Sequence, residues 1–322
     1  MTYARVISTG SYLPAHRMSN YDLEKMVDTS HEWIMSRTGI ENRHIADESE
    51  STCDLAEKAA LAALEAADLD ADSIDLIVMA TTTADQVFPS SACLLQDRLG
   101  IKGFPAFDVQ AVCAGFMYAL DIAEKFVRTE SATRALVIGA ETFSRIIDWN
   151  DRSTCVLFGD GAGAIIVEAS DTPGIHSTHL HADGQYKDLL SVPVGVSKNF
   201  NKVVNGSAFT QMQGGEVFRI AVKCMEKVAE EALEANGAHV DSVDWMIPHQ
   251  ANMRIITATA KRLGISMDKV IVTVDQHGNT SAASIPLAFD VAVRDGRIKP
   301  GDRVLIEGFG GGFTWGAAYL TY

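Results

Sequence analysis

The stretch Leu64–Asp75 reads LEAADLDADSID, and Leu233–Asp244 repeats it as LEANGAHVDSVD, 169 residues further along the chain. Each copy closes an apolar segment with helical spacing and leads through a polar turn into an apolar, strand-like run. The same offset carries Arg134–Ile138 (RALVI) onto Arg303–Glu307 (RVLIE). Two matches at a single offset, with the same order of elements, indicate that the chain is built from two related halves.

The junction between the halves falls in the turn-rich stretch Glu168–Gly174, which predicts one unit over 1–170 and a second over 171–322. Helical spacing of apolar residues predicts helices over Thr52–Ala67 and Glu216–Ala235. Short apolar runs near turns predict strands, which are Ile74–Ala80, Ala135–Ile138, Ala164–Val167, Val270–Val274 and Val304–Ile306. Strands that alternate with helices indicate an α/β fold whose sheets are covered by helices.

The composition narrows the class of protein. The 322 residues are 47% hydrophobic and 21% charged, which is typical of a globular chain with an ample core. A net charge of −15 argues against nucleic-acid binding. No apolar run is long enough to span a bilayer and no secretory signal is readable, so we expect a cytoplasmic location. Five widely spaced cysteines fit reduced thiols rather than disulfides or a zinc site.

One of these thiols, Cys113, lies in Pro105–Phe116 (PAFDVQAVCAGF), between an apolar strand-like run and a helical pattern. At a helix N-terminus, free backbone N–H groups and the helix dipole favour thiolate over thiol. We therefore expect a lowered pKa and a nucleophilic sulfur at Cys113. The alternative is that Cys113 is a small buried hydrophobe, as most free cysteines are.

Two polar residues of the second half also follow strand-like runs, where α/β folds place ligands. His249, in PHQANMR, comes after the run WMIP, although it could also be a histidine that caps the next helix. Asn279 follows the run VIVTV. It lies five residues after Val274, just as Cys113 lies five residues after Asp108 in the first half. The two residues could thus be equivalent across the duplication, and the alternative for Asn279 is a helix N-cap.

A glycine-rich stretch and a histidine cluster are two further candidates for ligand sites. Gly308–Gly316 (GFGGGFTWG) matches neither the phosphate-loop nor the dinucleotide pattern, which favours a backbone oxyanion donor over a nucleotide cradle. His176, His179 and His181 fall in one predicted strand, where only the last two share a face. No acidic residue or cysteine lies at ligand spacing, so no metal site is expected.

Taken together, these segments resemble β-ketoacyl-acyl carrier protein synthase III, the initiating condensing enzyme of type II fatty acid synthesis, over essentially the whole chain. The segments that carry the resemblance are STGSYLP (8–14), DTSHEWIMSRTGI (28–40), FDVQAVCAGF (107–116), FGDGAGA (158–164), HLHADG (179–184), PHQANMRI (248–255), HGNTSAAS (277–284) and GFGGGFTWG (308–316). The resemblance implies the thiolase fold, with five αβαβα layers in two related halves, usually as a homodimer.

The resemblance also implies an activity. Cys113, His249 and Asn279 would form a catalytic triad for a decarboxylating Claisen condensation. An acyl-CoA primer, with acetyl-CoA expected, would react with malonyl-acyl carrier protein to give 3-oxoacyl-acyl carrier protein, CoA and CO2. No cofactor is expected beyond these substrates. The backbone N–H groups of Cys113 and Gly311 would hold the oxyanion.

Further residues are implied by their positions in the family. Trp33 and Arg152 would sandwich the adenine of CoA, and the full set expected to contact CoA is Trp33, Arg37, Thr38, Arg152, Gly214, Phe218 and Asn252. Phe88 matches the position that sets acyl-chain length from across the dimer. A basic face could dock the acidic carrier protein, or could be only a solvated surface; it comprises Arg219, Arg254, Lys261 and Arg262.

Other functions remain open on the sequence. A cysteine hydrolase uses the same three residue types, although the duplication and the three strand-end positions fit a condensing enzyme better. A non-catalytic module that binds the carrier protein would not need all three. Relatives of the same fold build secondary metabolites, join long acyl chains or acylate other acceptors. The sequence leaves the chain length and branching of the primer undetermined.

Overall fold

A computed structural model describes residues 2–322 of the chain. The strands are Tyr3–Tyr12 (β1), His16–Ser19 (β2), Asn42–Ile45 (β3), Leu76–Ala80 (β4), Ala106–Val109 (β5), Arg134–Glu141 (β6), Gly161–Ser170 (β7), Ile175–Ala182 (β8), Leu190–Ser191 (β9), Gln211–Met212 (β10), Trp245–Pro248 (β11), Arg303–Gly310 (β12) and Thr314–Thr321 (β13). The helices are Asn20–Leu23 (α1), His31–Thr38 (α2), Thr52–Ala67 (α3), Ser91–Arg98 (α4), Gly115–Arg128 (α5), Phe200–Val204 (α6), Gly214–Ala235 (α7), Met253–Leu263 (α8), Val274–His277 (α9) and Ser284–Arg294 (α10).

The two long predicted helices are present. Helix α3 begins where the sequence predicts, because Ser51 and Asp54 form a reciprocal capping box that satisfies the first free N–H groups. Helix α7 begins at Gly214, two residues before the predicted start, and ends as predicted at Ala235. The observed strands over the first half are offset from the predicted runs by up to three residues at their ends, as is usual for sequence patterns.

The predicted strand Val270–Val274 is wrong. Val270 makes only an isolated bridge to Met246, and Val274 already begins the short helix α9. The buried side chain of Gln250 explains the difference: its amide donates to Ile271 O at 3.0 Å, and its carbonyl accepts from the N–H groups of Thr273 and Val274 at 2.8 and 3.1 Å. These polar groups therefore need no neighbouring strand.

Two sheets carry the duplication. The first has the order β1-β7-β6-β4-β5, and the second has the order β8-β13-β12-β11. One pair of neighbouring strands at corresponding places in the two sheets is parallel, β4 with β6 and β11 with β12. The other pairs of the shared order are antiparallel. The second sheet has no counterpart of β5 among residues 2–322, because the segment after Val270 leaves the sheet.

All strands of the first sheet lie before residue 171, and all strands of the second lie after it. This partition supports our proposed boundary between 170 and 171.

Five layers are stacked across the molecule. Helices α3 and α4 cover the outer face of the first sheet, and α5 and α10 fill the space between the two sheets. Helices α7 and α8 cover the outer face of the second sheet. Alternation along a strand sends neighbouring residues to opposite cores, so Leu305 faces α7 while Ile306 faces the central helices. This is the αβαβα arrangement that the resemblance implies.

Each central helix starts from a short 3-10 turn. Val112–Ala114 precedes α5 and Ser281–Ala283 precedes α10, and the first residue of each turn has a positive φ, 48° and 49°. The offset of 169 carries one turn onto the other. Cys113 therefore corresponds to Ala282, and its predicted equivalence with Asn279 is wrong, because that count started from a strand that does not form.

Within the described residues, no helix has both the length and the apolar character needed to cross a bilayer.

Candidate active site

A cavity of about 430 Å³ lies where the two halves meet, and Cys113, His249 and Asn279 all line it. Every residue predicted to contact CoA lines it as well, namely Trp33, Arg37, Thr38, Arg152, Gly214, Phe218 and Asn252. Arg254 of the predicted basic face also lines the cavity, whereas its other members and Phe88 lie outside. Residues that are far apart in the sequence thus converge on one space, as at the ligand sites of other proteins.

Cys113 is the second residue of the 3-10 turn between β5 and α5 and is 3% exposed. The glycine-rich stretch is a hairpin between β12 and β13 that presses on this turn. A Cβ on Gly310 would lie 2.7 Å from Cys113 N, so only glycine fits there. Thr314 Oγ1 donates to Ala111 O at 2.9 Å, and a Cβ on Gly311 would lie 3.5 Å from the Val112 side chain. The backbone of the hairpin is thereby held beside the thiol.

The predicted lowering of the Cys113 pKa is wrong. Cys113 does precede a helix N-terminus, but complete burial raises the pKa of the thiol to about 12, and the negative charge of Glu141 raises it further. The hydroxyl of Ser281 and the backbone N–H of Cys113 act in the opposite direction without outweighing burial. At neutral pH Cys113 is therefore a thiol, and it needs a proton acceptor before it can act as a nucleophile.

His249 directly follows β11, and its N–H donates to Glu307 O at 2.8 Å. Burial lowers the pKa of the imidazole to about 3, so the ring is neutral. Its Nδ1 lies 2.6 Å from Ser284 Oγ, which also accepts from the N–H of Gln250 at 3.2 Å. The one hydrogen of the Ser284 hydroxyl is available to be donated to Nδ1. This arrangement favours the tautomer that carries its proton on Nε2.

Asn279 is anchored to the first half of the chain rather than to its own sheet. Its N–H donates to Leu157 O at 2.8 Å, and its carbonyl accepts from Gly159 N at 3.0 Å. Its side-chain Oδ1 accepts from Ser281 N at 2.9 Å, so Asn279 is not the N-cap of a regular α-helix. Because Oδ1 is engaged, the Nδ2 group is the part of the amide left to donate into the cavity.

Sequence reasoning missed two residues next to this site. Glu141, the last residue of β6, is completely buried, and Ser281 Oγ donates to its Oε1 at 3.1 Å. The Ser281 hydroxyl also acts to lower the pKa of the Cys113 thiol. The segment HGNTSAAS contains both Ser281 and Ser284, and their spacing of three residues at the start of a helix could have suggested that both side chains point toward one site.

The mouth of the cavity is lined by paired aromatic and cationic groups. The Arg152 guanidinium carbon lies 5.1 Å from the centre of the Trp33 ring, and Arg152 Nη1 donates to Asp28 O at 2.8 Å. Arg254 stands over the Phe218 ring at 5.4 Å. The side chain of Asn252 caps α8 and donates to Arg37 O at 3.2 Å, which ties α8 to α2.

The predicted basic face is partly neutralised. Arg254, Lys261 and Arg262 lie on α8 as predicted, and Arg219 lies on the neighbouring helix α7. Two of these four side chains form ion pairs at 2.6 Å, Arg219 with Glu216 and Arg262 with Glu226. Exposed pairs of this kind contribute little to stability.

Strand β8, which holds the three clustered histidines, has an acidic partner that lies far from it in the sequence. His179 Nδ1 and His181 Nε2 lie 3.2 and 2.6 Å from the two carboxylate oxygens of Glu231, which comes from α7. His176 faces the other way and contacts Thr321 at 2.8 Å. Across residues 2–322, no group of three or more histidine, cysteine or acidic side chains is arranged to hold a metal ion.

Comparison with known proteins places the chain in a family. Two family models match it: 3-oxoacyl-[acyl-carrier-protein] synthase III over residues 107–184, and the C-terminal part of the same synthase over residues 233–322. The chain is 60% identical over the full length of both chains to a β-ketoacyl-[acyl-carrier-protein] synthase III of Thioalkalivibrio sulfidiphilus. It is 58% identical, again over both full lengths, to one of Thiobacillus denitrificans.

A solved structure agrees with these relatives. The 3-oxoacyl-[acyl-carrier-protein] synthase III of Aquifex aeolicus superposes with a TM-score of 0.94 at 48% identity, covering 99% of this chain and 100% of that one. Identity at this level over whole chains extends to the fold. The chain belongs to the β-ketoacyl-acyl carrier protein synthase III family of thiolase-fold condensing enzymes.

Proposed function

We propose that Cys113, His249 and Asn279 carry out the reaction of this family, in which an acyl-CoA primer and malonyl-acyl carrier protein give 3-oxoacyl-acyl carrier protein, CoA and CO2. One observation carries the assignment of residues: a buried thiol, a neutral imidazole and a carboxamide with a free N–H group line the same cavity. The two nitrogen donors come from one half of the chain and the thiol from the other.

The first half-reaction loads the thiol. Cys113 attacks the thioester carbonyl of the primer, and the resulting oxyanion accepts hydrogen bonds from the backbone N–H groups of Cys113 and Gly311. Gly310 allows the hairpin to approach this close, since a side chain there would collide with Cys113 N. Backbone donors of this kind stabilise charge that develops only in the transition state. CoA then leaves, and the acyl group remains on the sulfur.

The second half-reaction removes CO2 from the malonyl group. The electrons of the broken C–C bond move onto the thioester oxygen, where negative charge develops. His249 Nε2–H and Asn279 Nδ2–H donate to that oxygen, and the neutral state of the buried imidazole keeps its acceptor nitrogen engaged with Ser284. No base is needed, because decarboxylation itself generates the carbanion that attacks the acyl-Cys113 carbonyl.

Coenzyme A would bind at the mouth of the cavity, with its adenine between Trp33 and Arg152. A flat ring stacked on both faces needs about 3.5 Å on each side, or roughly 7 Å in all. The present separation of 5.1 Å is too small. Arg152 must therefore leave its contact with Asp28 and move outward when CoA enters. The rest of the coenzyme A molecule would contact the other predicted residues, which are Arg37, Thr38, Gly214, Phe218 and Asn252.

Acyl carrier protein is the proposed macromolecular partner, docked on the basic face of Arg219, Arg254, Lys261 and Arg262. Arg254 both belongs to this face and lines the cavity, so a phosphopantetheine arm could enter beside it. A homodimer is also proposed: the neighbouring Val87 and Phe88 are 70% and 82% exposed, which is unusual for large apolar side chains. A partner subunit would cover them and could place Phe88 at its acyl pocket. A cytoplasmic location stays a prediction.

The test is a mass screen of acyl-CoA primers from two to twelve carbons, followed by malonyl-acyl carrier protein. We expect a Cys113 adduct with short primers, then loss of the adduct with release of CO2 and a 3-oxoacyl product. Release of free acid alone would identify a hydrolase. An unchanged protein mass with every primer would favour a non-catalytic module that binds the carrier protein. Cys53→Ala is the matched control, because burial raises the pKa of that thiol to about 12 as well.

A further inference from the structure

A buried positive charge without a carboxylate partner lies behind the wall of the cavity. Arg43, the second residue of β3, is 0% exposed. Burial lowers the pKa of its guanidinium to about 10, which leaves the group charged at neutral pH, and no carboxylate within residues 2–322 forms an ion pair with it. A lone buried charge costs the fold stability. The presence of Arg43 therefore needs an explanation other than stability.

The guanidinium of Arg43 joins separate segments of the chain. Its Nη1 donates to Asn20 Oδ1 at 2.9 Å and to Met18 O at 3.3 Å, while its Nη2 donates to Val156 O at 2.8 Å. Val156 and the two residues that follow it line the cavity, whereas Arg43 does not. Hydrogen bonds from a charged donor are stronger than neutral ones, and losing one leaves a buried donor unsatisfied. Arg43 thus holds this part of the wall from behind.

The stem of Arg43 packs against the backbone that carries Asn279. Asn279 N donates to Leu157 O at 2.8 Å, and Gly159 N donates to Asn279 O at 3.0 Å, which joins the two segments side by side. Each segment presents a glycine to Arg43: an added Cβ would lie 3.1 Å from Arg43 Cβ at Gly159 and 3.0 Å from it at Gly278. These close approaches mean that the position of the Arg43 stem limits where the joined segments can lie.

We propose that Arg43 is a positioning residue for decarboxylation, because it holds the backbone of Asn279 where the Nδ2 group can donate to the oxygen of the developing enolate. The inference deepens the proposed function and rests on it. Asn279 Oδ1 accepts from Ser281 N, so the direction of the carboxamide is set locally while its place is set by the joined segments. The turn of Cys113 is held instead by the glycine-rich hairpin, so acylation should not depend on Arg43.

The test compares the two steps in Arg43→Met, which keeps an unbranched apolar stem but removes every donor. Acylation of Cys113 by acetyl-CoA, followed by stopped flow, should remain near the wild-type rate. Release of labelled CO2 from malonyl-acyl carrier protein should fall about 10- to 100-fold in kcat, with little change in KM, because a donor displaced by about 1 Å loses much of its effect. Arg43→Lys keeps the charge but not the planar fork, so its loss should be smaller, and it answers the question if Arg43→Met does not fold.

A double-mutant cycle with Asn279→Ala separates positioning from general damage to the fold. If Arg43 acts through the carboxamide, adding Arg43→Met to Asn279→Ala should slow release of CO2 no further. Arg134→Met is the matched control, because Arg134 also joins separate segments, donating to Ser73 O at 3.3 Å and to Glu168 at 2.8 Å, and does not line the cavity. This control should leave both steps unchanged.

Three results would overturn the inference. The first is an equal loss of acylation and CO2 release in Arg43→Met, and the second is a double variant in which the two single losses multiply. The third is an active wild type whose rates Arg43→Met leaves unchanged, which would leave the proposed function intact. A wild-type protein that forms no adduct and releases no CO2 would instead overturn the proposed function, and with it the step that Arg43 is proposed to serve.

Discussion

The two 3-10 turns at the centre of the molecule have the same backbone but different chemistry. Val112–Ala114 and Ser281–Ala283 each begin with a left-handed residue and each lead into a central helix. The first turn carries the thiol at its second position, where the second turn has Ala282. The second turn instead contributes the Ser281 hydroxyl and follows Asn279 by two residues. Duplication thus supplied one scaffold twice, and we propose that one copy holds the nucleophile while the other holds neutral donors.

The largest effect is expected at the first turn. Cys113→Ala should abolish the acyl-enzyme completely, because no other group would attack the thioester. Intact mass after incubation with acetyl-CoA measures this directly. The same variant keeps His249 and Asn279, so it should still release CO2 slowly from malonyl-acyl carrier protein. An adduct of wild-type yield in the variant would show that another residue is the nucleophile.

Next in size is the loss of the carboxamide beside the second turn. Asn279→Ala should leave the yield of acyl-enzyme near that of wild type but slow release of CO2 about 100- to 1,000-fold, the cost of removing one donor to a developing oxyanion. Stopped-flow acylation and trapping of labelled CO2 separate the two steps. If acylation and decarboxylation fall by the same factor, the division of roles between the two turns is wrong.

A smaller effect is expected from the residue that orients the imidazole. Ser284→Ala removes the hydroxyl 2.6 Å from His249 Nδ1, which should slow release of CO2 roughly tenfold through a loosened tautomer and ring orientation. Acylation at the first turn should not change. Ser284→Thr, which retains a hydroxyl, is the control, and it should recover most of the lost rate. Equal rates for wild type and Ser284→Ala would remove Ser284 from the site.

The smallest effect concerns stability and the buried glutamate of the second half. Unlike Glu141, Glu307 has no hydrogen-bond partner for either carboxylate oxygen among residues 2–322, and burial raises its pKa to about 8. Between pH 4.5 and 8 the unfolded chain loses this proton while the folded chain keeps it, so folding becomes less favourable as the pH rises.

Glu307→Gln removes that loss of stability. The variant should match wild type at pH 4 and gain a free energy of unfolding on the order of 2 kcal/mol at pH 6. Urea titrations at the two pH values measure the difference. A difference that is the same at both values would mean that Glu307 is ionised in the folded protein.

The sequence predicted the duplication, the long helices and the three residues that meet in the cavity. Apolar spacing and the order of motifs can be read from the sequence without knowing which residues are in contact. It could not predict the protonation state of Cys113, since helix position and burial act in opposite directions and only the fold sets their balance. Nor could it predict that Gln250 replaces a strand partner after Val270. The hydrogen bond between Ser281 and Glu141 joins residues 140 positions apart, which no local pattern reveals.

The missing fifth strand of the second sheet has a consequence for the independence of the halves. Because the chain after Val270 leaves its own sheet, residues 275–279 are tied instead to the other half: Glu41 N donates to Asp275 O at 2.8 Å, and Asn279 exchanges backbone hydrogen bonds with Leu157 and Gly159. A fragment containing only the second half would lose the support of its carboxamide. The two halves, although related by duplication, therefore depend on each other, and neither half can replace the other.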